Sequence, residues 1–141
     1  MRNRKRLLIV LLLLVAAGAA CCLWPGGTNY PPLGSVTRVV VKAGLDNEQV
    51  RVIDDPAKVR QLVEFVDGHR RGWGGLDWAG VPVPQVVAEF YDGSKFKGHF
   101  GVGPGFFECQ REGDFTSKPC RGWQQRRFLE LVGLPGYEFR R

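Results

Sequence analysis

Two histidines, one methionine and three serines (Ser35, Ser94 and Ser117) are all that the 141 residues contain of these types. That scarcity narrows the chemistry. No Gly-x-Ser-x-Gly elbow occurs, nor a Cys-His pair with a group to orient it. His69 follows a helical stretch beside Arg70 and Arg71 and reads as a solvated cation at the negative end of the helix dipole. His99 falls mid-strand, and a metal there would need a carboxylate such as Asp67 or Glu89, which no ligand spacing supplies. Glu89 and Glu108 could pair for glycoside chemistry, but any antiparallel sheet brings such carboxylates together by chance. Gly101–Gly105 is glycine-rich, yet Pro104 removes an amide donor and no strand-to-helix transition follows, so it is no phosphate cradle. The expectation is a non-enzymatic chain without catalytic, cofactor-binding or metal-ligating residues.

Acidic side chains are missing from residues 1–37, whereas Arg2, Arg4, Lys5 and Arg6 cluster at the start. These four carry most of the net charge of +6, leaving 16 basic against 14 acidic side chains beyond them. A nucleic-acid binder concentrates its cations on the folded domain, so no nucleic-acid partner is expected. Apolar residues make up 44% of the chain, which excludes wholesale disorder. Only one segment is long and apolar enough to cross a bilayer, which excludes a multi-span protein.

That segment begins with Leu7–Val15 (LLIVLLLLV), continues through the small residues Ala16–Ala20 and Cys21-Cys22, and reaches Trp24. Basic cluster, apolar stretch and small residues are the three parts of a secretory signal. From Leu7 to Trp24 there are 18 uncharged residues, enough to span, with the basic end kept cytoplasmic. Three outcomes fit: cleavage and release, retention as a transmembrane helix, or lipidation. Gly18-Ala19-Ala20-Cys21 resembles the lipobox of bacterial lipoproteins, with Gly18 where that family carries leucine. The resemblance implies that Cys21 receives the lipid and becomes the mature N-terminus.

Residues 1–24 are thus expected to be a signal peptide or anchor, 25–34 a turn-rich linker, and 35–141 a single extracytoplasmic domain of the cell envelope. The layout resembles that of small exported bacterial proteins of unknown function, a likeness that implies neither an activity nor binding residues. Cys109 and Cys120 are the domain's only cysteines, and in an oxidising compartment an isolated pair reads first as a disulfide.

Within the domain, Ser35–Ala43 and Gln49–Ile53 have strand composition and read as a hairpin. Asp54 or Asp55 caps a helix with Pro56 at its first position and Val59, Leu62, Val63 and Val66 along one stripe. Strands follow at Gln85–Tyr91, Lys95–Val102 and Phe106–Arg111, with Asp92-Gly93 as a hairpin turn. Phe115–Cys120 offers a short sixth. A last helix over about Trp123–Val132 ends at Gly133. The fold class is therefore α+β: an antiparallel sheet of about five strands with two helices on one face, in the order β-β-α-β-β-β-α, behind an apolar N-terminal helix.

Phe96, Phe100, Phe106 and Phe107 are expected in the core. Arg121, Arg126 and Arg127 near the last helix suit either anionic lipid or plain solvation. The glycine- and proline-rich stretch Gly72–Pro84 carries Trp73 and Trp78. Aromatics on such a loop form recognition surfaces, or fold back to plug the core. Trp73 and Trp78 are the candidate partner contacts, and the expected partner is a protein or other component of the envelope.

Overall fold

The computed structural model describes residues 27–75, 83–111 and 113–140. Strands β1 (Arg38–Ala43) and β2 (Glu48–Ile53) precede helix α1 (Pro56–Gly68). Then come β3 (Gly74–Gly75), β4 (Val86–Asp92), β5 (Lys95–Gly103), β6 (Phe106–Arg111), β7 (Asp114–Pro119) and helix α2 (Gly122–Leu131). All pairings are antiparallel, and the sheet order is β2-β1-β4-β5-β6-β7-β3. The α+β class holds. The sheet is wider than five strands, because β7 pairs along its whole length with β6 and the two glycines of β3 extend the edge.

Local chemistry sets the elements. The Asp55 carboxylate accepts the Lys58 amide at 2.9 Å and caps α1, with Pro56 supplying a first-turn φ that needs no N–H. Gly93 turns β4 into β5 at φ +59, a region closed to most side chains. After α2 the Leu134 amide reaches back to the Leu129 carbonyl at 2.7 Å, with Gly133 at φ +78.

One face of the sheet is dry. Val39 and Val41 (β1), Val86, Ala88 and Phe90 (β4), Phe100 and Val102 (β5), and Phe107 (β6) form a single cluster with Val59, Leu62 and Val66 of α1 and Phe128 and Leu129 of α2. Both helices therefore cover the same face. Phe65 stacks edge-on against Phe100 and Phe107, with centroids 5.9 and 6.0 Å apart, and lies 5.8 Å from Phe128.

Residues 28–34 are docked on the domain, not a free linker. Thr28 and Trp73 exchange backbone hydrogen bonds of 2.7 and 3.0 Å, and the Tyr30 amide donates to the Arg70 carbonyl at 2.9 Å. The Leu33 amide donates to Asp67 Oδ1 at 3.0 Å, and Tyr30 and Leu33 are both buried. Arg111 donates to the Pro31 carbonyl, lies over the Tyr30 ring and has Asp67 3.7 Å away. Each partner comes from a distant part of the chain, so local composition gave no sign of it.

Candidate interaction surface

The residues singled out by sequence are placed differently from one another. Cys21 and Trp78 lie outside the described residues. Trp73 is only 1% exposed: it meets Phe100 edge-on at 5.7 Å, Tyr30 at 6.2 Å, and carries the Lys118 ammonium 4.4 Å above its ring. It fills the core and cannot contact a partner, which corrects that assignment.

Cys109 and Cys120 are free thiols, so the expected disulfide is not formed. The register explains why. Cys109 pairs with Thr116, whereas the Cys120 amide bonds to the Gly105 carbonyl, four positions away along the same hairpin. At strand spacing that is roughly 13 Å, twice the Cα separation a disulfide tolerates. Burial pushes each thiol up to about 11, far from the thiolate form that nucleophilic or metal chemistry needs.

His69 is half-buried rather than solvated. Its Nδ1–H donates to the Phe65 carbonyl at 2.7 Å, its Nε2 accepts from Gln124 Nε2 at 3.2 Å, and its ring lies 4.3 Å from Phe65. Burial lowers its pKa, and the nearby Lys118 charge acts in the same direction. Lys118 donates to the carbonyls of His69 and Arg71, satisfying the chain where α1 ends.

The sheet's second face is where polar chemistry collects. Alternation places Arg38, Val40 and Lys42 of β1 opposite to the core-facing Val39 and Val41, together with Val52 of β2, which pairs with Val40. Glu89 and Tyr91 (β4), His99 (β5), Glu108 and Gln110 (β6) and Phe115 (β7) continue the row. Lys42 Nζ lies 2.6 Å from Glu89 Oε1, and the Tyr91 hydroxyl donates to Glu89 Oε2 at 2.9 Å. The Arg38 guanidinium sits 4.9 Å over the Tyr91 ring. His99 Nε2 donates to Glu108 Oε1 at 2.8 Å, with Phe115 5.8 Å from the imidazole.

Glu89 and Glu108 are thus each engaged by a cation or imidazole, and β5 runs between their strands, holding the backbones about 10 Å apart. Among the described residues no three His, Cys, Asp or Glu side chains are grouped to hold a metal. Around these fixed pairs lie exposed apolar side chains: Phe96 at 46%, Phe115 at 48% and Val52 at 45%. Phe96 and Phe106 were expected in the core. Lys97 is an extra residue in the β4–β5 ladder and turns Phe96 away from Phe100's side, while Phe106 folds its ring onto Gly103.

Pro84 lies directly on Gly101, where an added Cβ would come within 2.7 Å of it. Near the β4–β5 turn, Lys95, Phe96, Lys97, Gln110 and Gly113 border a shallow cleft of about 340 Å³.

Comparison with known protein families, with curated proteins and with solved structures found no match.

Proposed function

We propose that this chain is a membrane-tethered envelope protein whose domain binds a partner protein without catalysing a reaction. Residues 1–24 supply the tether, by Cys21 lipidation or as a retained span, and the domain lies on the extracytoplasmic side. Among the described residues no helix is long and apolar enough to cross a membrane. The contact surface is the second face of the sheet.

The observation that carries this reading is the exposure of Val52, Phe96 and Phe115 on one face whose carboxylates, Glu89 and Glu108, are already engaged by Lys42 and His99. Apolar side chains around satisfied polar groups gain from being covered and leave no charge stranded. Lys95 and Lys97 flank Phe96 at the cleft, which favours a partner segment bearing apolar and acidic side chains.

A photo-crosslinking amino acid placed at Val52 or Phe115 of the full chain, in the source cell, tests the assignment. Both positions should give an adduct with the same protein, and Lys95→Glu with Lys97→Glu should abolish it. A control at Glu64, exposed on α1, should give none. Absent adducts, or equal adducts from Glu64, overturn the reading.

A further inference from the structure

We infer that the rim formed by Arg70, Arg71, Arg121, Trp123 and Arg126 rests on the anionic phospholipid headgroups of the bilayer that holds the tether. The inference depends on the proposal that residues 1–24 are membrane-bound.

Several observations converge on this rim. Thr28 lies beside it, laddered to Trp73, two residues after Arg71. Lys118 ties the Arg71 carbonyl to β7, and Gln124 ties His69 to the start of α2, where it also accepts the Arg121 amide at 2.8 Å. The end of α1, the first described residues and the start of α2 therefore meet on one side of the molecule.

Chain length does the rest. Four residue steps separate Trp24 from Thr28, a reach of at most about 14 Å, and seven steps from Cys21 allow about 25 Å. With either attachment the rim is within reach of a headgroup layer roughly 5–7 Å deep.

Its chemistry suits that layer. Arg71, Arg121 and Arg126 are exposed and Arg70 is half-buried; none of the four pairs with a carboxylate among the described residues. The neighbouring acids are already engaged, Asp67 by the Leu33 amide and Arg111, Glu130 by Arg127. Guanidinium groups fork onto phosphate oxygens. Trp123, 56% exposed in the first turn of α2, adds an indole of the kind that settles at membrane interfaces.

The test uses the full chain mixed with vesicles of phosphatidylcholine alone or with added phosphatidylglycerol, read by flotation and by amide hydrogen exchange. The expected result is flotation with both, and exchange over Arg70–Trp73 and Arg121–Gln124 slowed about tenfold in the anionic vesicles only. High salt and the double variant Arg71→Glu, Arg121→Glu should each abolish that slowing, while β2 exchanges alike throughout. Flotation with both vesicles but identical exchange overturns the rim and leaves the tether standing. Salt-sensitive flotation with the anionic vesicles alone supports the rim and overturns the tether. Flotation with neither overturns both.

Discussion

The hydroxyls of Tyr30 and Thr116 lie 2.8 Å apart inside the domain, although 86 positions separate them in the chain. This contact fastens the segment after the leader to β7, so the domain begins earlier than the strand-rich sequence suggests. Tyr30→Phe should lower stability by about 1 kcal/mol, the usual worth of one buried hydrogen bond. Deleting residues 28–34 should cost roughly 3–5 kcal/mol, since Tyr30 and Leu33 lose their burial. Chemical denaturation of the two variants checks both; equal stability in all three proteins would mean the segment is not docked.

Trp73→Ala tests the change of role assigned to that residue. An indole 1% exposed against Phe100 and Tyr30 should cost about 3–5 kcal/mol when truncated. An unchanged melting temperature would return Trp73 to the surface.

The register of β6 and β7 predicts two unpaired thiols in the domain. Alkylation under denaturing conditions without reductant should modify both Cys109 and Cys120, as peptide mass spectrometry would read. In the native protein both should react slowly at pH 8, because burial raises each thiol to about 11. Modification that appears only after reduction would show the strands to be paired differently. Without the disulfide, the proposal of export stands on the leader alone.

His69 makes stability depend on pH. Burial lowers its folded pKa below the ordinary 6.5, so the unfolded chain binds the proton more readily. The stabilisation is complete above the unfolded value and is lost as pH falls from there towards the folded one. His69→Gln should remove this component, so the melting-temperature gap between wild type and variant narrows as pH drops below 6.5. A gap that widens on acidification would mean that the imidazole is folded as a cation.

Much of the fold was legible because its signals are local. Asp55 before Pro56, Gly93 in its turn and Gly133 after α2 each act within a few residues, and period-two alternation identified the strands. What stayed hidden depends on distant partners. The neutral environment of His69 needs Gln124 and Phe107, and the docking of Tyr30 needs Thr116 and Arg70. One extra residue, Lys97, reversed the face of Phe96, which no count of alternating positions could foresee. The second face of the sheet was missed as a site for a related reason. Val52, Phe96 and Phe115 come from three strands, and only the sheet order gathers them onto one surface.

Everything proposed for the domain's surroundings turns on where it resides. Protease added to intact spheroplasts, followed by an alkaline wash of the membranes and detection of the chain's C-terminus, measures this directly. The account predicts that the protein sediments with washed membranes and that its domain is degraded without lysis. A full-length chain in the soluble fraction, protected until the cells are broken, would contradict it.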